Sequence, residues 1–245
     1  MRGALRLSSG RFSPGPGGSL IVAPHADDET LGCGGLIASQ TGAGRPVDIV
    51  FITDSAASHP GHPVLAPAEL ARVRRAEATS AAAVLGVATG RLHFLGLPDG
   101  TLDKLPPDSL RGLVARLAGL IGTLGPSRVF VPYRDGGSTE HTAAFDATVS
   151  ALAQAGGGTL LEYPVWAWWN PFRLLPRLRK REGNFRFALG PLRRVKMKAL
   201  ACHRSQIEPV PPWGEPALSP SLTQACCGPE EFFFERHIPA SRDGR

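Results

Sequence analysis

Hydrophobic and polar positions along the chain fall into two alternating kinds of segment. Short continuous apolar runs, several of them rich in Val, Ile and Phe, are typical of buried parallel strands. Longer stretches with apolar residues every three or four positions are typical of helices. The predicted strands are Ser19–Ala23, Val47–Thr53, Leu92–Leu95, Arg128–Pro132 and Thr159–Trp166. The predicted helices between them are Gly32–Gln40, Pro67–Leu85, Asp108–Leu124 and Thr139–Ala155.

This regular alternation of strand and helix predicts the fold class. We expect an α/β protein with a Rossmann-like, mostly parallel sheet and helices on both faces. Residues 19–169 would form the catalytic domain, preceded by a flexible N-terminal segment, residues 1–18. Residues 170–245 would form a basic and aromatic C-terminal appendage packed on the same domain, with one helix at Arg193–Gln206.

Length and composition exclude several classes of protein. A chain of 245 residues with 42% hydrophobic and 20% charged residues can bury a full core, so wholesale disorder is excluded. No apolar run approaches the roughly 18 to 20 residues that a membrane span needs. The four cysteines show no C-x-x-C spacing, which gives no support to a disulfide framework or a cysteine zinc site. The N-terminus lacks the apolar stretch of a signal peptide, so we expect a cytoplasmic location.

The net charge of +6 is concentrated in one part of the chain. Residues Arg173–Lys198 hold ten Lys or Arg residues and a single acid, Glu182. Such a segment can contact phosphate, nucleic acid or a membrane surface, or it can simply form a solvated face. Aromatic residues interleave with the arginines, but no recognised nucleic-acid motif accompanies them. We therefore expect no nucleic-acid partner.

A cluster of ionisable residues follows the first predicted strand, in Pro24-His-Ala-Asp-Asp-Glu29. In an open parallel sheet, ligands bind beyond the carboxyl ends of the strands. The spacing of His25 and Asp28 lets a nitrogen and a carboxylate oxygen converge on one ion such as zinc. Asp27 must point elsewhere, and a carboxylate beside a metal is suited to act as a general base. A third ligand should come from another strand end, where His141 is the natural candidate.

The glycines that follow this cluster suggest an alternative, a dinucleotide site. Gly32-Cys-Gly-Gly35 comes after a predicted strand and opens a helix. However, Ile37 occupies the position of the third glycine in the dinucleotide fingerprint. Three acids, Asp27 to Glu29, would also face the pyrophosphate, so the pattern favours a bound cation instead.

The segment Ala23-Pro-His-Ala-Asp-Asp-Glu-Thr-Leu-Gly-Cys-Gly-Gly35 closely resembles the signature of the PIG-L, or LmbE-like, family. The resemblance spans about residues 19–206. It includes Arg74-Arg-Ala-Glu77, Leu95-Gly-Leu-Pro-Asp-Gly100 and the segment Lys196–Gln206, in the order of the family. Members of this family are zinc-dependent de-N-acetylases of N-acetylglucosamine-type sugars on a Rossmann-like fold.

The resemblance assigns roles at the metal. It implies that His25, Asp28 and His141 bind Zn²⁺, with Fe²⁺ or another divalent ion as alternatives. Asp27 would be the general base that activates the zinc-bound water.

Two further positions match residues that contact substrate in the family. These are Arg74 and Asp99, which would hydrogen-bond to sugar hydroxyls. The alternative for Arg74 is a helix pair with Glu77, and for Asp99 a Pro-Asp-Gly turn.

The chain departs from the family at the third-ligand loop. That loop usually reads H-P-D-H, whereas here Ser138 fills the place of the first histidine and Glu140 replaces the aspartate. The missing histidine is thought to stabilise the oxyanion of the transition state. Ser138, Tyr133 and His203 are the candidates to replace it.

The function expected from these features is hydrolysis of an N-acetyl group on an N-acetylglucosamine-type sugar conjugate, a small-molecule substrate. The alternative is the same metal hydrolase acting on another amide or N-acyl glycoconjugate of secondary metabolism. The sequence leaves open the aglycone, the physiological metal and the oligomeric state.

Overall fold

The computed structural model describes residues 1–180 and 182–241, which form a central sheet with helices on both faces. The strands are β1 (Gly10–Arg11), β2 (Ser19–Ala23), β3 (Val47–Thr53), β4 (Leu92–Leu97), β5 (Arg128–Pro132), β6 (Gly158–Tyr163), β7 (Asn184–Ala188) and β8 (Glu230–Ile238). The helices are α1 (Arg2–Ser8), α2 (Asp28–Gly42), α3 (Pro67–Val84), α4 (Pro107–Leu124), α5 (Thr139–Gln154), α6 (Leu175–Arg179), α7 (Leu192–Leu200), α8 (Arg204–Ile207) and α9 (Pro220–Cys226).

The strand order of the sheet is β1-β7-β8-β6-β5-β2-β3-β4. All neighbouring strands run parallel except β8, which is antiparallel to both β6 and β7. The chain runs from β2 outward to β4 and then returns to place β5 on the other side of β2. The connections therefore diverge between β2 and β5, and a crevice forms outside their carboxyl ends.

Alternate side chains of the buried strands face the two layers of helices. In β2, Ile21 packs into a core with α2 and α3, whereas Leu20 and Val22 pack into a core with α4 and α5. The continuous apolar runs reflect this burial on both sides. The predicted mostly parallel sheet with helices on both faces is confirmed.

The five predicted strands and the four helices between them are all present, and three of those strands have the predicted bounds. The fifth strand ends at Tyr163 rather than at Trp166. Pro164 follows it, and proline has no N–H to continue the ladder. Residues Trp166–Trp168 instead form a 3₁₀ turn.

The N-terminal segment differs from the expected flexible one. Its helix α1 buries Leu5, and its strand β1 pairs in parallel with β7. Phe12 is buried and packs against Phe233 with ring centroids 5.0 Å apart. Residues 1–18 are therefore part of the folded domain.

The C-terminal part also differs from an appendage laid on a finished sheet. Its strands β7 and β8 complete the sheet beside β6. The single helix predicted at Arg193–Gln206 is two helices, α7 and α8, and the break turns His203 into the core. The predicted basic segment includes Arg181, which lies outside the described residues.

The glycines of α2 are explained by close packing. A Cβ atom at Gly32 would collide with the ring of Tyr163, and one at Gly35 with the side chain of Leu189. These glycines let β6 and the segment before α7 approach the helix, so packing accounts for them without a dinucleotide. Within the described residues, no helix is both long enough and apolar enough to cross a membrane.

Candidate metal centre and active site

The turn between β2 and α2 orients the acidic cluster. Asp27 has φ of 145° and ψ of −25°, a conformation that L residues rarely adopt. Its backbone N–H donates to Glu29 Oε2 at 3.0 Å, and the backbone N–H of His25 donates to Asp28 Oδ2 at 3.1 Å. The turn therefore fixes the two neighbouring aspartates in different environments.

His25, Asp28 and His141 come together as predicted. One ligand atom from each lies within 4.8 Å of the others. Asp28 Oδ2 is 3.2 Å from His25 Nδ1 and 3.2 Å from His141 Nε2. Two ligands at about 2.0–2.1 Å from a tetrahedral zinc ion lie roughly 3.3 Å apart, so these spacings fit such an ion.

Unsatisfied polarity and excess charge support the same fit. His141 Nε2 is buried and makes no hydrogen bond within the described residues, although Asp28 is near. Four carboxylates and a single arginine side chain line the cavity at this point. A divalent cation would supply a partner for the nitrogen and would neutralise part of the negative charge.

The far side of the His25 ring is held by two further carboxylates. His25 Nε2 lies 2.9 Å from Glu140 Oε2 and 3.1 Å from Asp99 Oδ1. Glu140 Oε1 in turn accepts hydrogen bonds from the backbone N–H groups of Gly100 and Leu102, both at 3.0 Å. A carboxylate on the second nitrogen fixes the orientation and tautomer of a ligating histidine. Glu140 therefore contacts His25, and this contact was not apparent from the sequence.

Asp27 lies against Arg74. The Nη2 atom of Arg74 donates to Asp27 Oδ2 at 2.8 Å and to the carbonyl of Ala26 at 2.6 Å, while Nη1 donates to the carbonyl of Ser55 at 3.1 Å. Burial raises the pKa of Asp27 to about 7, and Arg74 opposes that rise. A carboxylate whose pKa is near neutrality is suited to accept and return a proton.

Nearby charges and hydrogen bonds also shift the pKa values of His25, Asp28 and Asp99. Burial works to lower the pKa of His25, but hydrogen bonds to Asp28, Asp99 and Glu140 outweigh it and raise that pKa well above its usual value. Burial works to raise the pKa of Asp28, but His141 and His25 hold it below its usual range. The pKa of Asp99 is lowered to about 2 because His25 outweighs the effect of burial. The lowered pKa values thus favour the ionised forms of Asp28 and Asp99 beside His25.

Behind the catalytic turn lies a second buried layer. Glu29 is fully buried, and its Oε1 accepts from Thr30 Oγ1 at 2.7 Å and lies 3.4 Å from His203 Nε2. Because Glu29 Oε2 accepts the N–H of Asp27, this layer stabilises the unusual backbone at Asp27. His203 therefore supports the turn from behind.

A cavity of about 380 Å³ opens above the cluster. Its lining includes the polar residues His25, Asp27, Asp28, Arg74, Asp99 and Glu140. It also includes the apolar residues Leu31, Val165, Trp166 and Leu218. Ser58 and Gln206 add polar groups, and Gln206 Nε2 donates to Ser58 Oγ at 3.2 Å. The cavity can therefore hold a molecule with both polar and apolar parts.

The three candidates for the missing oxyanion donor lie elsewhere. Ser138 caps α5 by accepting the N–H of His141 at 3.3 Å. Tyr133 is buried beside Phe234, and His203 is buried against Glu29. None of the three lines the cavity.

The basic segment also stays away from the cavity. Several of its cations are paired with buried acids, including Lys196 with Glu231 and Arg177 with Glu162. Among the described residues of Arg173–Lys198, none lines the cavity. The segment therefore makes no direct contact at the candidate active site.

Comparison with known proteins places the chain in a family. The model for the PIG-L family, described as GlcNAc-PI de-N-acetylase, matches residues 20–152, more than half of the chain. A curated relative is the 1D-myo-inositol 2-acetamido-2-deoxy-alpha-D-glucopyranoside deacetylase of Kineococcus radiotolerans. It is 32% identical over 166 residues, which cover 56% of this chain and 45% of the relative. The chain thus spans less than half the length of that relative.

Solved structures share the fold. The N,N'-diacetylchitobiose deacetylase of Pyrococcus horikoshii has a TM-score of 0.58 and 23% identity over 76% of this chain and 69% of its own. The 4-carboxy-2-hydroxymuconate hydratase of Pseudomonas putida KT2440 has a TM-score of 0.66 and 16% identity over 94% of this chain and 99% of its own. The two are named for different reactions, so the likeness identifies the fold alone. Together with the family match, the fold and the turn after β2 identify the chain as a member of the PIG-L, GlcNAc-PI de-N-acetylase, family.

Proposed function

We propose that the chain is a metal-dependent hydrolase that removes an N-acetyl group from an N-acetylglucosamine-type sugar conjugate. The observation that carries this proposal is the position of Asp27 in one cavity with His25 and Asp28. A buried carboxylate with a raised pKa lies beside a set of metal ligands. This combination is suited to the hydrolysis of an unactivated amide.

His25, Asp28 and His141 would hold the ion, with Zn²⁺ as the first candidate and Fe²⁺ as an alternative. A bound divalent ion polarises a carbonyl oxygen and lowers the pKa of water. Glu140 orients the His25 ring through Nε2, which leaves Nδ1 directed at Asp28. At least one of the proposed metal ligands, His25, is therefore oriented by a neighbouring carboxylate.

Asp27 would carry the proton through the reaction. Its carboxylate accepts a proton from the attacking water, whose oxygen bonds to the amide carbon. The C–N bond then breaks, and Asp27 returns the proton to the amine, which yields acetate and the free amino sugar. Arg74 holds the carboxylate in place during both transfers, because its Nη2 donates to Oδ2.

Substrate contacts are assigned to the cavity wall. Asp99 lines the cavity, and we assign it as an acceptor for a sugar hydroxyl. Arg74 also lines the cavity, but its Nη atoms are already used by Asp27, Ala26 and Ser55. Arg74 is therefore assigned to positioning Asp27. Its Nε is the one nitrogen of the guanidinium group that has no hydrogen-bond partner among the described residues.

The apolar residues that line the cavity support the second candidate function. Trp166 and Leu218 offer no hydrogen-bond acceptor to a sugar hydroxyl, but they would stabilise an apolar acyl chain or aglycone. Another N-acyl glycoconjugate of secondary metabolism is therefore the alternative substrate class.

The test is a screen of N-acetylglucosamine conjugates with the purified chain and one added divalent ion at a time. Released acetate and the new amine are both measured. Matched conjugates with a longer N-acyl group distinguish the two candidates. Acetate release by the parent but not by Asp27→Asn supports the proposal. Absence of amide hydrolysis with every conjugate, in protein shown to bind the ion, contradicts it.

A further inference from the structure

One short segment carries several exposed bulky apolar side chains. Three of them, including two aromatic rings, lie within seven residues. Trp169 is 63% exposed, Phe172 is 75% exposed and Leu175 is 40% exposed. Single exposed apolar residues are ordinary on a protein surface, but a cluster of this kind marks an interaction surface.

The segment is anchored, so the exposure follows from the fold. A 3₁₀ turn at Pro171–Leu174 runs directly into α6. Leu174 and Arg177 face inward and are buried, with Arg177 paired to the buried Glu162. Phe172 and Leu175 are three residues apart, which places them on one side of a 3₁₀ turn. Because Leu174 and Arg177 are buried, the side chains of Phe172 and Leu175 remain exposed.

The same stretch of chain also carries exposed cations. Arg173, Arg179 and Lys180 are exposed on the same segment. Glu182 and Glu235 share a surface depression with Arg179 and Lys180 and offset part of this charge. Helix α1 packs against α6, where Leu7 is 91% exposed and lines a depression with Leu178. The surface thus combines apolar side chains with positive charges.

We propose that this surface, residues 166–180 with Leu7, binds an anionic lipid membrane from one side. Trp and Phe rings occupy the boundary between headgroups and acyl chains, while Lys and Arg contact anionic headgroups. Charge complementarity favours this occupant over a second copy of the chain, because a symmetric contact would place the like charges against each other. Trp166, at the start of this segment and partly buried against the core, also lines the candidate active site. A docked enzyme would therefore have part of its cavity wall continuous with the lipid-binding segment.

The test is flotation of the full chain with vesicles, which requires no assumption about the reaction. One vesicle contains phosphatidylcholine only, and the other contains phosphatidylcholine with roughly one third phosphatidylserine. The bound fraction should be at least about tenfold larger with the anionic vesicle. It should fall as salt is raised, because the Debye length shrinks from about 10 Å at 0.1 M to about 3 Å at 1 M.

Variants separate the apolar and the charged contributions. Trp169→Ala/Phe172→Ala should reduce anionic-vesicle binding about tenfold or more, whereas Val64→Ala/Leu110→Ala, which truncates exposed apolar residues elsewhere, should not. Arg179→Gln/Lys180→Gln should flatten the salt dependence. The control Arg72→Gln/Arg204→Gln removes two exposed cations elsewhere and should leave it unchanged.

Three results would overturn the proposal. One is equal binding to neutral and anionic vesicles. The second is undiminished binding by the Trp169→Ala/Phe172→Ala variant with a parent-like circular dichroism spectrum. The third is a parent dimer in sedimentation equilibrium that the same variant abolishes, with no vesicle binding, which would assign the surface to self-association.

Discussion

Two buried groups of charges lie along helix α2, and they differ in how completely they are satisfied. In the middle of the helix, Lys196 Nζ donates to Glu231 Oε1 and to the carbonyl of Leu31, both at 2.7 Å. Glu231 also accepts the backbone N–H groups of Gly35 at 2.8 Å and Leu36 at 2.9 Å. Each charge there has its partner within the protein.

At the N-terminal end of the same helix the groups do not match. Asp27, Asp28 and Glu29 follow one another, and His141 Nε2 and Arg74 Nε are buried without hydrogen bonds. A satisfied ion pair fixes the packing of a fold, whereas a surplus of acceptors beside unpaired nitrogens leaves room for a ligand. Burial is common to both groups, and what distinguishes the N-terminal one is the surplus of acidic groups beside unpaired nitrogens.

The largest expected effect comes from removing the divalent ion that would neutralise the acidic groups at the N-terminal end of α2. Chelation of the purified protein should abolish hydrolysis, and one added divalent ion per chain should restore it, because the three ligands define one site. Metal analysis should find about one ion per chain in the parent and much less in His25→Ala. His93→Ala, which removes a partly buried histidine paired with Asp48, should keep the ion. Full metal content in both His25→Ala and Asp28→Ala would exclude this ligand set.

Next in size is the loss of the proton carrier. Asp27→Asn keeps the shape of the side chain but cannot accept a proton at neutral pH, so kcat should fall roughly 10² to 10⁴-fold, the range for a lost general base. Metal content should stay at the parent level, which separates this residue from Asp28. Near-normal turnover would move the base elsewhere, and loss of the ion would make Asp27 a ligand.

The difference between the two groups also shows what the sequence could reveal. His25, Asp27 and Asp28 were predictable because they follow a buried strand at the edge where parallel sheets bind ligands. His141 was predictable as a residue after a neighbouring strand. Glu140 was noted only as a substitution, since its partner His25 is distant in sequence and the contact depends on how β5 and α5 approach β2.

The fold shows the same limit. The parallel strands β2 to β6 were predictable from their apolar runs, which are buried on both faces. Strand β8 was missed although it contains three consecutive phenylalanines, Phe232 to Phe234, because residues 170–245 were interpreted as an appendage outside the sheet. Strand β7 was missed although Phe185 and Phe187 alternate with polar residues, as in a half-buried strand, because its segment was interpreted through its charge. Lys196 was counted as a surface charge, and only its pairing with Glu231 shows that it is buried.

The Lys196–Glu231 pair in the middle of α2 should affect the stability of the fold rather than hydrolysis. Lys196→Met leaves Glu231 buried without its cation, so the free energy of unfolding should fall by about 3 to 5 kcal/mol, as when one partner of a buried pair is removed. Urea denaturation measures the change. Lys198→Met, an exposed change on the same helix, should have little effect, and Lys196→Met/Glu231→Gln should recover part of the loss. Unchanged stability in Lys196→Met would show that the two groups do not differ as argued.

The smallest expected effect concerns Glu140, which contacts the second ring nitrogen of the proposed metal ligand His25. Glu140→Gln retains one oxygen, but Gly100 and Leu102 already donate to one oxygen of Glu140, so His25 Nε2 loses one of its two charged acceptors and keeps Asp99. Loss of such a partner typically lowers metal affinity by about 10 to 100-fold, less than loss of the ligand itself. Isothermal titration of the metal-free protein with Zn²⁺ measures this. Asp146→Asn changes an exposed acid on the same helix and should leave the affinity intact, while Glu140→Asp should recover part of it. Equal affinities of parent and Glu140→Gln would mean that Asp99 and the backbone are enough to orient His25, and that Glu140 does not support the metal ligand.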